Sequence, residues 1–90
     1  MKIAGYEIIK KEVYRHAETY DRGIILGIHP SEKCPARYAT WEYTEQHQSH
    51  SKDGKVQIDA FWGHYYQNET EAYKDYYTRL ADNYNLPWEG

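Results

Sequence analysis

Apolar and polar positions alternate with two clear periods along this chain. Ala39, Trp41 and Tyr43 interleave with Tyr38, Thr40, Glu42 and Thr44, the two-residue repeat of a strand with one face buried. The same repeat returns at Val56, Ile58, Ala60 and Trp62, set against Gln57 and Asp59. Gly23 to Ile28 is a nearly continuous apolar run that stops before Pro30. It predicts a central strand covered on both faces, or one in which Gly27 lets a ring lie over the backbone. Tyr6 to Tyr14 fits neither period cleanly; its β-branched content predicts a strand with one irregularity, with a short helix through Ile8 to Tyr14 as the alternative. Beyond Tyr66 the period changes. Tyr73, Tyr76, Tyr77, Leu80 and Tyr84 recur at spacings of three and four, one face of a helix. Asn68, three residues before Glu71, forms a capping-box pattern at its start. Asn83, Asn85 and Pro87 mark its end.

The segments between are turns and loops. His16 to Arg22 is polar, Pro30 to Arg37 holds two prolines, and Glu45 to Lys55 is a polar linker with an Asp53-Gly54 turn. Gly63, inside the aromatic run Phe61 to Tyr66, marks a bulge or a close approach to the backbone. Short connections favour neighbours in sequence as neighbours in space. The prediction is a single α+β domain over residues 1–90: an antiparallel four-stranded meander with one C-terminal amphipathic helix on one face, ββββα. Trp41, Tyr43, Ile58 and Trp62 are expected to face Tyr73, Tyr77 and Leu80 of the helix.

Composition changes this picture in one respect. Aromatic residues make up 17% of the chain and eleven of them are tyrosines, so rings must supply the core. Burying a ring gains of order 4–6 kcal/mol at most, and an unpartnered phenol returns about 1–3 kcal/mol of it. Some tyrosines are therefore expected half exposed, and exposed rings suit a binding surface. The net charge of −3, without a basic run, disfavours a phosphate-tracking protein. No apolar run spans a bilayer and the first residues turn charged at once, so a cytoplasmic protein without membrane association is expected.

Chemistry-bearing clusters are sparse. His47 and His50 sit three apart with no second ligand pair, and Cys34 is the only thiol; a structural zinc site needs four soft ligands. Neither metal nor cofactor is expected. Pairing Cys34 with His29 or His64 as nucleophile and base has no support in spacing, and no phosphate loop or nucleophile elbow is present. The chain therefore reads as non-catalytic. Alternation places Phe61, Tyr65, Asp59 and Glu42 on the outer sheet face, next to the linker with His47 and His50. These six form the expected partner-binding surface, and a protein is the expected partner. A single-stranded nucleic-acid binder that stacks bases on the same rings is the alternative.

Asp21-Arg22-Gly23, Leu26-Gly27 and Pro30, then Thr40-Trp41-Glu42-Tyr43-Thr44-Glu45, Phe61-Trp62-Gly63-His64-Tyr65, and Ala72, Asp75, Tyr76, Arg79 and Tyr84 together resemble a group of short proteins carried on conjugative and phage-like mobile elements of Gram-positive bacteria. The likeness spans Asp21 to Tyr84 and brings no catalytic residue with it. The tip from His47 to Lys55 departs from it. The resemblance implies a setting in which small acidic proteins bind host proteins, among them inhibitors of CRISPR and other defence nucleases.

Overall fold

The computed structural model describes residues 2–47 and 57–84. Their order is β1 (Lys2–Ile3), β2 (Tyr6–His16), β3 (Tyr20–Ile28), β4 (Tyr38–Gln46), β5 (Ile58–Tyr66) and α1 (Glu69–Tyr84). The strands form one antiparallel sheet in the order β1-β2-β3-β4-β5. The meander and the C-terminal helix match the expectation, with a fifth strand added. That strand is two residues long and turns through Ala4 and Gly5, both at positive φ, a signal too short for periodicity to register.

β2 is a strand, not a helix, and carries two register shifts instead of one, at Ile8/Lys10 and Val13/Arg15. These slips explain why its apolar positions fit no clean alternation. The polar turn is shorter than the sequence suggests, because Tyr20, Asp21 and Arg22 already pair with Gln46, Glu45 and Thr44. β3 is the centre of the sheet, buried continuously from Gly23 to Gly27. Gly27 is required there: a Cβ would lie 2.9 Å from Tyr6 Cβ and 3.2 Å from the Trp41 ring.

The core lies on both faces of the sheet. On one, Tyr14, Ile24 and Leu26 pack against Ala72, Tyr76 and Leu80 of α1, flanked by Tyr38, Tyr66 and Tyr73. On the other, Tyr6, Ile25, Ala39, Trp41 and Tyr43 gather Ile3, Ile8, Val13, Ile58 and Ala60 around them. The expected inner face is therefore corrected. Trp41, Tyr43 and Ile58 do cluster, but on the face away from the helix, and Trp62 belongs to neither core. Strand alternation says which residues share a face and not which face receives the helix. Of the predicted helix contacts Leu80 is buried, while Tyr77 is exposed with Lys10 Nζ 5.7 Å from its ring centroid. Tyr76, Ala72 and Leu80 share a narrower stripe, to which Tyr77 is peripheral. The cap is as predicted, with Glu71 N–H donating to Asn68 Oδ1 at 3.3 Å.

Candidate interaction site

The pairing of β4 with β5 slips by one residue between Thr40 and Glu42. Thr40 faces His64 and Glu42 faces Phe61, so Trp41 alone opposes both Trp62 and Gly63. This is a bulge, at the position where Gly63 marked one. Trp62 takes φ +54°, left-handed backbone that costs a side-chain-bearing residue about 1–2 kcal/mol. Gly63 beside it receives the Trp41 indole: a Cβ there would meet Trp41 Nε1 at 2.6 Å. Glycine thus stands where the indole leaves no room, and tryptophan stands in the conformation that glycine prefers.

The bulge is tied down from the helix. Arg79 Nη2 donates to the Trp62 carbonyl at 2.6 Å, and Arg79 Nη1 donates to Thr40 Oγ1 at 3.0 Å. The fully buried Thr40 donates in turn to Asp75 Oδ2 at 2.6 Å, which also meets His64 Nδ1 at 3.1 Å. Glu42 completes the network, accepting from the Tyr14 hydroxyl at 2.9 Å with Arg22 and Arg79 at 3.7 and 3.9 Å. Burial, reinforced by the Glu42 carboxylate, pushes the Tyr14 phenol up to about 12, so it stays a donor at neutral pH. Asp75 and Arg79 stand four apart, a spacing that places both on one helical face. This i, i+4 spacing is visible in the sequence, but the tyrosines that recur along the same helix mask it.

What the network presents outward is a pair of rings. Phe61 and Trp62 meet edge to face with centroids 4.9 Å apart, Arg22 Cζ lies 5.6 Å from the Phe61 centroid, and Trp62 is 65% exposed. The expected surface is corrected. Phe61, Asp59 and Glu42 lie on the helix-side face and not on the outer one, and Glu42 is enclosed in the polar network and unavailable to a partner. Tyr65 keeps the expected face away from the helix, pairing with Ala39, but the extra residue of the bulge inverts alternation beyond it and parts it from Phe61. There it leans on Trp41, 6.1 Å between centroids, and is 55% exposed.

His47 lies away from these rings. Its backbone N–H donates to the Thr19 carbonyl at 2.9 Å, its Nε2 meets Asp21 Oδ1 at 2.9 Å, and its Nδ1 meets the Glu18 carbonyl at 3.2 Å. His16 Nδ1 reaches the same Asp21 oxygen at 2.9 Å. His47 therefore fastens the end of β4 to the β2–β3 turn. His50 lies outside the described residues. Cys34 Sγ points to the Ala36 carbonyl at 3.5 Å, and His29 Nδ1 accepts from Ser31 N–H, so neither is bonded to the other. Among the described residues no group of three or more His, Cys, Asp or Glu side chains is arranged to hold a metal ion, and no helix is long and apolar enough to cross a membrane.

No protein-family model matches the chain, and comparisons with curated proteins and with solved structures give no significant match.

Proposed function

We propose that this protein is a non-catalytic binding module whose contact surface is the Phe61–Trp62 ring pair, engaging a protein partner in the cytoplasm. One observation carries this reading: a large ring, mostly in water, is kept on a left-handed backbone by a guanidinium that the fold positions for that bond. Folding stability alone favours glycine at such a φ and gains little from an exposed indole. Strain retained beneath an exposed aromatic residue is characteristic of a recognition site, and tryptophan is the residue most enriched among interface anchors.

A protein is favoured over single-stranded nucleic acid by the local charge. Arg22 and Arg79, the cations nearest the rings, both lie against Glu42, and Asp59 is exposed on the same strand. A base-stacking platform needs uncompensated cations along the backbone path. The wider proposal, that the partner is a host defence nuclease inhibited by a mobile-element product, draws on the sequence resemblance.

The test is retention of a partner from host lysate by the wild type and by Trp62→Ala, then affinity measurement with the identified partner. An anchor at Trp62 predicts a loss of at least about 2 kcal/mol, roughly thirtyfold in Kd. Unchanged affinity with the fold intact removes this surface from the account.

A further inference from the structure

Asp59 precedes Phe61 by two residues on β5 and shares its face, since it pairs with Thr44 while Phe61 pairs with Glu42. With Thr44, Gln46, Thr19 and Tyr20 it lines an open cavity of about 320 Å³. The cavity therefore adjoins the ring pair, Asp59 and Phe61 standing about 7 Å apart along the strand. Its lining is rich in acceptors: a carboxylate from Asp59, an amide oxygen from Gln46, and hydroxyls from Thr19, Tyr20 and Thr44. No lysine, arginine or histidine is among these described lining residues.

The described residues leave the negative charge there unmatched. The Asp59 carboxylate accepts a long bond from the neutral Gln57 Nε2 at 3.3 Å, and no cation is paired with it among the described residues. Arg22 stands in the same cross-strand row, opposite Thr44. Its guanidinium lies instead against Glu42 at 3.7 Å and the Phe61 ring at 5.6 Å. Glu18, exposed beside Thr19, adds to the negative side, and the whole chain carries −3.

An exposed carboxylate among hydroxyls, next to an exposed indole, is complementary to a cation that carries several donors. A guanidinium holds its donors in a fixed fork, and arginine stands with tryptophan among the residues enriched at interface anchors. We infer that this cavity receives a basic side chain, arginine before lysine, from the protein partner that the ring pair engages. The inference rests on that ring pair being the contact surface, and it specifies the partner: an apolar residue for Phe61–Trp62 and a basic one for Asp59. A separation of about 7 Å is the i to i+2 distance of an extended chain, so one extended segment supplies both, two positions apart.

Two tripeptides probe the site on the full chain, acetyl-Leu-Ser-Arg-amide and acetyl-Arg-Ser-Leu-amide, with glutamine in place of arginine as the control. Titration at millimolar concentrations is followed through the backbone amide resonances of the protein. At least one arginine peptide should move the Thr44 and Asp59 amides saturably, and the control should not. Asp59→Asn should weaken that binding about tenfold or more, and the same spectrum shows that the variant is folded. Cavity amides that do not move, equal movement with the control, or unchanged binding by Asp59→Asn overturns the inference. So does binding that emerges only when Lys52→Gln and Lys55→Gln are combined, which would assign the cavity to a lysine of this chain. A partner affinity that falls with Trp62→Ala but not with Asp59→Asn overturns the cavity alone. One that falls with Asp59→Asn but not with Trp62→Ala upholds the cavity and overturns the ring pair.

Discussion

Arg79 holds the Trp62 carbonyl at 2.6 Å while its second terminal nitrogen holds Thr40 Oγ1 at 3.0 Å. One guanidinium therefore joins the helix, an inner strand and the bulge of the edge strand. Lysine keeps the charge but lacks the rigid fork. Arg79→Lys should lose one of the two bonds, costing roughly 1–3 kcal/mol, and should release the bulge. Urea denaturation reads the first effect. The second appears as faster hydrogen exchange at Trp62 and Gly63, with weaker partner binding.

Trp62→Gly separates stability from function. Relief of left-handed strain gains about 1–2 kcal/mol, and the added chain freedom of glycine costs about 0.5–1 kcal/mol. The variant should thus be as stable as the wild type or slightly more so, yet lose partner binding. Trp62→Ala keeps the strain and should be the less stable of the two. Thermal melts of the pair decide the point: a Gly variant markedly less stable than wild type would mean that the indole supports the fold itself.

The sequence made the order of elements legible because each long segment has a strong period: alternation in β4 and β5, threes and fours in α1. The bulge was also legible, since Gly63 interrupts a run of rings. What alternation could not supply was its consequence. One extra residue at Trp62–Gly63 sends Tyr65 to the face opposite Phe61, and a surface predicted as continuous divides in two. The choice of face was equally hidden. Trp41 and Tyr43 look like a helix-facing pair, but their rings fold over Gly27 and Gly23, whereas the helix takes the side where Thr40 and Glu42 can receive Asp75 and Arg79. A polar network between sheet and helix leaves no periodic apolar signal.

Gly23 has no room for a side chain. A Cβ would lie 2.2 Å from the Glu12 carbonyl oxygen and 2.6 Å from the Tyr43 ring. The first obstacle is backbone in a paired strand and cannot rotate away. Gly23→Ala should cost about 3 kcal/mol or more, at or above the upper end for overpacking, by forcing β2 from β3. A melting temperature within a few degrees of wild type would show that β2 yields easily.

The Tyr43 hydroxyl is buried without a hydrogen-bond partner among the described residues, and burial drives its phenol pKa sharply upward. An orphaned buried hydroxyl costs about 1–3 kcal/mol. Tyr43→Phe removes it, keeps the ring over Gly23, and leaves Lys11 Nζ, 5.5 Å from the centroid, its aromatic face. The variant should be at least as stable as wild type, by up to about 1–2 kcal/mol. A loss of stability in urea would mean that the hydroxyl has a partner.

Asp21 and His47 give the fold a stability window in pH. The hydrogen bond that His47 donates to Asp21, assisted by the Asp21 charge and by the Glu18 carbonyl and Glu45, raises His47 above its ordinary 6.5. Its stabilising contribution is complete below that ordinary value and is lost as pH rises through the raised one. Hydrogen bonds from His47 and His16 hold Asp21 below its ordinary 3.8. That contribution is complete above the ordinary carboxylate value and is lost as pH falls through the depressed one. Both are present together between about pH 4 and about pH 6. Asp21→Asn removes both, so its deficit against wild type in denaturant midpoint should be greatest in that interval and shrink on either side. A deficit constant from about pH 4 to about pH 8 would mean that Asp21 acts through its shape and hydrogen bonds and not through charge.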